Sequence, residues 1–167
     1  MTTRREIIAF IGALPILSLA GCGPGDDSAA SCKPIVLGDD RECALCGMTI
    51  SNFPGPKGQA CLDSDETKGF CSTNDLFSWA WQPESKPRIS ALYVHDLSRT
   101  GWQDPGNEDW MDARDAIYVI NHDQEGAMGH SPAPFSKRED AEAFASDHGG
   151  QVLAFEDLDW DALKTPS

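Results

Sequence analysis

Apolar residues recur with helical spacing at two places along the chain. In the first, Leu76 and Phe77 begin an apolar helical face. Ser72 and Asp75 lie just before it with the spacing of a capping box, in which a hydroxyl and an acid three residues apart satisfy the free N–H groups of a helix start. The pattern predicts a first helix that ends near Trp81.

The same arrangement returns in the second half of the chain. Ser136 and Glu139 repeat the capping-box spacing, and Ala141 and Phe144 repeat the apolar face. The pair Gly149-Gly150 is typical of a helix end, because glycine adopts the left-handed backbone found there. A second helix is therefore predicted.

Short segments with strand character surround each helix. They are Gly58–Cys61, Lys68–Cys71 and Ile89–His95 around the first helix, and Ala116–Ile120, Ala133–Phe135 and Gln151–Phe155 around the second. The pattern predicts an α+β fold of two homologous ββαβ repeats, about 41–97 and about 110–158. We expect them to pack into one compact unit, because each repeat alone is near the lower size limit for an independent core. Residues 159–167 are predicted to be an acidic tail.

The first 21 residues have the parts of a signal peptide. Two arginines, Arg4 and Arg5, precede the apolar run Ile7–Ala20, which is shorter than the roughly 20 residues of a transmembrane helix. Leu19–Cys22 resembles a lipobox, so Cys22 is the expected lipidation residue, and Thr3–Ile8 resembles a twin-arginine signal. The folded part is therefore predicted to be exported and anchored to the membrane by lipid, on a periplasmic or extracellular face.

Residues 22–40 are rich in Gly, Pro, Asp and Ser and lack apolar periodicity. This composition predicts a flexible tether between the lipid and the domain, which begins at residue 41. Cys32 falls in the tether, where it has either no role or pairs with another exposed thiol.

The charge balance excludes some classes of partner. The chain has 13 Lys and Arg against 27 Asp and Glu, a net charge of −14. Removing Arg4, Arg5 and Glu6 with the signal peptide leaves 11 basic and 26 acidic residues, a net charge of −15. Nucleic acids and anionic membranes both require a basic surface, so neither is a predicted partner. The acidic residues lie between turns and helix starts and are predicted to form a solvated surface.

Two short stretches carry soft metal ligands. Cys43, Cys46 and Met48 place two thiols and a thioether within six residues. Met128 and His130 place a thioether and an imidazole on either side of a glycine, on a predicted loop. Thiolate, thioether and imidazole together suit Cu(I), which prefers soft ligands and low coordination numbers.

Other uses of the cysteines stay open at this point. Cys43 and Cys46 could serve a thiol–disulfide oxidoreductase, although no thioredoxin-like context surrounds them. With Cys61 and Cys71 they could form a Cys₄ zinc site of a structural interaction module. We expect instead that Cys61 and Cys71 face each other across a hairpin as a disulfide, as is usual in exported proteins. Common catalytic motifs are absent, so no enzyme is predicted.

Several stretches, in order, resemble the NosL family of exported copper-binding lipoproteins. They are Arg41–Ile50, Phe53–Ala60, Phe70–Phe77, Trp110–Ala113 and Gly126–His130. The resemblance spans roughly residues 42–158, and the family's fold is also built from two homologous ββαβ units.

The resemblance implies a Cu(I) chaperone rather than an enzyme. It would deliver copper for assembly of the copper centres of nitrous oxide reductase, together with an ABC-type membrane complex. The resemblance assigns Met128 and His130 as ligands, with a thiolate from Cys43 preferred. Cys46 or Met48 would complete the shell or receive the ion during transfer.

Overall fold

The structure, a computed structural model, describes residues 32–164. Its strands and helices are β1 (Gly58–Leu62), β2 (Thr67–Phe70), α1 (Thr73–Ala80), β3 (Ile89–His95), β4 (Trp110–Asp112), β5 (Ile117–Ile120), β6 (Ala133–Phe135), α2 (Arg138–His148) and β7 (Gln151–Ala154). The predicted signal peptide, residues 1–21, and the predicted lipidation residue Cys22 lie outside the described residues. Within residues 32–164, no helix has the length and apolar character needed to cross a membrane.

The two sheets follow the same plan. The strand order is β2-β1-β3-β4 in the first sheet and β6-β5-β7 in the second. Each repeat places its first strand in the centre, between its hairpin partner and the strand that follows its helix, and all the pairings are antiparallel. The predicted pair of ββαβ repeats is confirmed, with β4 added at the free edge of β3.

Aromatic rings from both repeats meet in one core. The Phe77 ring of α1 lies 5.6 Å from the Tyr118 ring of β5 and 6.0 Å from the Phe155 ring, in edge-on arrangements. The Tyr118 hydroxyl donates to Ala113 O at 2.6 Å, which satisfies a phenol that is fully buried. Because Phe77 belongs to the first repeat and the other rings to the second, the repeats pack as one unit.

Strand β1 is buried along its whole length because it is covered on both faces. Helix α1 lies so close to one face that a Cβ on Gly58 would come within 2.7 Å of Leu76 Cβ. On the other face, the buried Gln59 side chain accepts a hydrogen bond from Ile35 N at 2.9 Å and donates one to Ile35 O at 2.7 Å. The amide of Gln59 thus holds the N-terminal segment against the sheet.

The predicted tether, 22–40, is wrong from Cys32 onward. Besides the bonds at Ile35, a disulfide joins Cys32 to Cys61 of β1. Leu37 is buried and exchanges two hydrogen bonds with the Asn107 side chain, at 3.1 and 2.9 Å. Composition predicted a linker, but these long-range contacts attach residues 32–40 to the domain.

The predicted acidic tail is also wrong in its described part, residues 159–164. Leu163 is buried, and its carbonyl accepts a hydrogen bond from the Asn74 side chain at 3.0 Å. The Trp160 ring lies edge-on to the Trp81 ring at 5.5 Å. Three apolar residues, Trp160, Ala162 and Leu163, dock this otherwise polar segment beside α1.

The two predicted capping boxes have different outcomes. Ser72 is the N-cap of α1, and its Oγ accepts a hydrogen bond from Asp75 N at 3.0 Å. Ser136 is not a cap, because α2 starts after Lys137, which makes no side-chain cap. The Ser136 N–H donates instead to the Asp96 carboxylate at 2.8 Å. A tertiary contact replaces the predicted cap, so the prediction at Ser136 is wrong.

A buried histidine links the first sheet to the segment before β1. His95 is fully buried, its Nδ1 accepts a hydrogen bond from Lys57 N at 3.3 Å, and its ring lies 3.8 Å from the Trp110 ring. Its Nε2 has no hydrogen-bond partner in the described chain. Burial, with a smaller effect from the Lys57 ammonium, lowers the pKa of His95 to about 3.

We expect the free energy of unfolding to fall as the pH drops below about 6.5. The unfolded chain then binds a proton on His95 that the folded chain takes up only near pH 3, and linkage puts this loss at about 2 kcal/mol between about pH 6.5 and 4.5. Urea unfolding at both pH values measures it. His95→Phe should remove this part of the slope, whereas His148→Phe, which changes a partly exposed ring, should not. Retention of the full slope in His95→Phe contradicts the prediction.

The disulfide gives a second expectation. Cys32→Ser should lower the free energy of unfolding by about 3.5 kcal/mol, the chain-entropy value for a link across a sequence separation of 29. Urea unfolding without reductant tests this, with Lys33→Ser as a control at the next, exposed position. Equal stability of the two variants would show that the link does not hold the N-terminal segment.

Candidate metal centre

A tight loop presents the two cysteines of the C-x-x-C sequence. The Cys43 N–H donates to Met48 O at 2.8 Å, and the Gly47 N–H donates to Cys43 O at 3.0 Å. Gly47 has a φ of +74°, a left-handed conformation that glycine adopts without steric cost. The Ala44 N–H donates to Gly69 O at 2.9 Å and so attaches the loop to the end of β2.

The second part of the site is the junction between β2 and α1. Cys71 and Asp75 lie four residues apart across the helix start, so their side chains share one side of it. The Cys71 thiol donates to Asp75 Oδ2 at 2.9 Å. Because Ser72 Oγ caps the Asp75 N–H, the Asp75 carboxylate is left available for the thiols.

Together the two parts gather three sulfurs and one carboxylate. Cys46 Sγ lies 3.3 Å from Cys71 Sγ, and Cys43 Sγ lies 3.4 Å from Asp75 Oδ2. All four ligand atoms lie within 4.8 Å of one another. Cys43, Cys71 and Asp75 are buried, and Cys46 is half-buried. This arrangement can hold one metal ion, or it can form a disulfide.

The thiols do not share their protons equally. The side-chain contact with Cys71 is the main cause that holds the pKa of Cys43 well below its ordinary value. The same contact, followed by burial, raises the pKa of Cys71. Burial is also the main cause of the raised pKa of Cys46 and of Asp75. The site therefore favours a thiolate at Cys43, which is the form that binds metal.

A buried ammonium lies beside this cluster. Lys57 Nζ donates to Cys71 O at 3.3 Å, to Pro54 O at 3.0 Å and to Phe53 O at 2.5 Å. Burial lowers the pKa of Lys57 to about 8, so the ammonium keeps its proton at neutral pH. A hydrogen-bonded cation next to the thiols reduces the cost of a buried thiolate.

The second predicted ligand pair lies on a turn. Gly126 N donates to Gly129 O at 2.8 Å, and Gly129 has a φ of +85°. Met128, at the tip of this turn, is 54% exposed. The prediction of a loop that turns at glycine is confirmed, and it leaves the thioether accessible from outside.

His130 is held in one tautomer. Its Nδ1–H donates to His122 O at 3.1 Å, which leaves the lone pair on Nε2 for a ligand. The Asn74 side chain donates to His130 O at 2.8 Å, so this segment is attached to α1 next to Asp75. His130 itself is not among the four residues whose ligand atoms lie within 4.8 Å of one another.

The structure thus brings together part of the predicted ligand set. Cys43 and Cys46 meet as predicted, and they are joined by Cys71 and Asp75, which were not predicted as copper ligands. The spacing Cys71-x₃-Asp75 at a helix start is the signal that could have found them. Met48 is half-buried and packs against the main core, so its role as a ligand stays a prediction.

The predicted Cys61–Cys71 disulfide is wrong. Cys61 pairs with Thr67 across the hairpin, and Cys71 lies four residues farther along, a distance of about 13 Å at strand spacing. Cys61 is instead bonded to Cys32. The four-thiol zinc alternative therefore lacks its fourth sulfur.

The fold and the site define a class: an α+β protein of two ββαβ repeats that collects soft ligands where one strand meets one helix. The NosL family model matches residues 34–163. The copper-binding lipoprotein NosL of Stutzerimonas stutzeri is 42% identical over 150 residues, which cover 90% of this chain and 78% of that protein. The protein of the same name from Achromobacter cycloclastes is 34% identical over 170 residues, covering 99% and 86%.

A solved structure agrees with these relatives. The crystal structure of the copper chaperone NosL from Shewanella denitrificans matches with a TM-score of 0.75 and 38% identity, over 77% of this chain and 97% of that one. The chain belongs to the NosL family.

Asn74 gives a test of how the two halves of the site are connected. Asn74→Ala removes the hydrogen bonds to His130 O and Leu163 O, so we expect faster amide hydrogen exchange in residues 126–132 and 160–164. Mass spectrometry of exchanged peptides measures it. Gln82→Ala, which removes a bond within the α1 region only, is the matched control. Unchanged exchange in Asn74→Ala would mean that other contacts hold the Met128 turn.

Proposed function

We propose that this chain is a lipid-anchored Cu(I) chaperone outside the cytoplasm, and that it acts as a carrier rather than as an enzyme. Its relatives are named copper-binding lipoprotein and copper chaperone, which supports copper as the cargo and a lipid on Cys22 as the anchor. It would deliver the copper for assembly of the copper centres of nitrous oxide reductase, with an ABC-type membrane complex as partner.

The observation that carries the proposal is the buried cluster of Cys43, Cys46, Cys71 and Asp75. Three sulfurs meet the preference of Cu(I) for soft ligands and for two or three donors. The favoured thiolate at Cys43 would bind the cation without prior loss of a proton. The carboxylate of Asp75 is a hard ligand for Cu(I), and we assign it to orienting the Cys71 thiol.

Transfer requires ligands that a partner can reach. Cys46 is half-buried and Met128 is exposed, whereas Cys43 and Cys71 are buried. We assign the Met128 thioether and His130 Nε2 to the open side of the site, where they would accept or release the ion. An ion bound at an open site exchanges ligands one at a time, which a closed tetrahedral cage does not allow.

Anaerobic titration of the reduced, metal-free protein with Cu(I), against a competing chromogenic chelator, tests the proposal. We expect about one Cu(I) per chain, and an affinity that falls by about 100-fold or more in Cys46→Ser and in Cys71→Ser, because a ligand is lost. The double variant Met128→Ala with His130→Ala should weaken binding by about 10-fold or more while the chain still folds.

Matched controls use the same residue types away from the cluster. Met111→Ala in β4 and His148→Ala at the end of α2 should leave the affinity unchanged. Stoichiometric Zn²⁺ binding with no binding of Cu(I) would favour a structural zinc module. Turnover of disulfide substrates that depends on Cys43 and Cys46 would favour the oxidoreductase alternative.

A further inference from the structure

The cysteines of the described chain fall into two chemical groups. Cys32 and Cys61 are joined as a disulfide, whereas Cys43, Cys46 and Cys71 are free thiols. A structural disulfide is typical of a protein that folds where thiols are oxidised. The same conditions act on the three free thiols of the cluster.

Two of these thiols are already close to bonding distance. Cys46 Sγ and Cys71 Sγ are 3.3 Å apart, and a disulfide bond is about 2.05 Å long, so the sulfurs need to approach by about 1.2 Å. They lie 25 residues apart in the sequence and on different segments, the C-x-x-C loop and the start of α1. Hydrogen bonds from Ala44 to Gly69 and from Cys43 to Met48 hold the loop in place.

We propose that Cys46 and Cys71 form a reversible disulfide, and that a dithiol–disulfide exchange reaction must reduce it before the site can accept copper. This inference rests on the proposed function, because it concerns the same sulfurs as ligands of Cu(I). A sulfur in a disulfide has no thiolate charge to offer, so the oxidised site keeps one thiol, Cys43, out of three.

The exchange balances with a dithiol protein as the reductant. One thiolate of the reductant attacks Cys46 Sγ, the Cys46–Cys71 bond breaks, and Cys71 leaves with the electron pair and takes up a proton. The second thiol of the reductant loses its proton and attacks the mixed disulfide, which releases Cys46 as a thiol. Two electrons pass to the chain, and the reductant ends as a disulfide. In the reverse direction, a disulfide of the same chemical class is the oxidant.

Burial determines which sulfur is attacked. Cys71 is fully buried and Cys46 is half-buried, so a reductant reaches Cys46, and Cys71 is the leaving group. In the structural disulfide, Cys61 is fully buried in the central strand β1. Its partner Cys32 is half-buried, as Cys46 is, but the hydrogen bonds at Ile35 and from the Tyr93 hydroxyl to Cys32 O hold it against the sheet. The reductant can therefore open one disulfide and leave the other intact.

The test equilibrates the protein, purified as the cell processes it, in anaerobic mixtures of reduced and oxidised dithiothreitol. Acid quenching, alkylation and peptide mass spectrometry then report each disulfide. We expect a Cys46–Cys71 link that forms and breaks while Cys32–Cys61 stays bonded. Titration with Cu(I) should show an affinity at least about 100-fold lower for the oxidised form, regained on reduction.

Two variants make the assignment specific. Cys43→Ser removes the third thiol of the cluster and should still form the link, whereas Cys46→Ser should not. A link between Cys43 and Cys46, the absence of any link, or full Cu(I) affinity in the oxidised wild-type protein would each overturn the inference. Failure of the reduced protein to bind Cu(I) would instead overturn the proposed function, because the mass spectrum reports the link without copper.

Discussion

The junction between β2 and α1 is the constraint on which the rest of the structure depends. Its residues each hold a different part of the chain: Cys71 contacts Cys46, Thr73 Oγ1 donates to Pro132 O, and Asn74 donates to His130 O and Leu163 O. A helix of eight residues is not stable alone in water, so α1 needs these contacts as much as they need it. The helix start that carries part of the thiol cluster is therefore also held by the second repeat and the C-terminal segment.

The two repeats have the same topology, but their helices pack differently. Helix α1 buries apolar residues, Leu76, Phe77 and Ala80 among them, between the first sheet and the second repeat. Helix α2 buries only Ala141 and exposes most of its acidic residues, so it covers the second sheet from outside. Of the two helices, only α1 contributes to the cluster, together with the C-x-x-C loop and Cys71. The second repeat contributes backbone carbonyls that fix α1, and the turn that carries Met128.

Local patterns predicted the fold because each repeat is built from local units. Apolar spacing placed the two helices and six strands within two residues of their observed ends, since hairpins and helix ends depend on near neighbours. The predictions for residues 32–40 and 159–164 were wrong because the contacts of these segments are distant in sequence. A polar, glycine-containing segment such as 32–40 is attached by a few partners distant in sequence, Gln59, Cys61 and Asn107, which composition does not reveal. The same holds for Leu163 and its bond to Asn74.

Two of the four residues of the cluster were predicted from local sequence, and the other two were not. Soft residues at short spacing identified Cys43 and Cys46, but not the residues they would meet. Asp75 has two roles that a sequence cannot separate. Its backbone N–H donates to the capping Ser72 Oγ, while its carboxylate accepts a hydrogen bond from the Cys71 thiol. The capping-box spacing gave Asp75 a local role, and so its place in the thiol cluster was not predicted. Because the cap positions the backbone and leaves the acid free, helix formation and assembly of the thiol cluster depend on the same two residues. Loss of Ser72 Oγ would then disturb the site through the fold, without removing any sulfur.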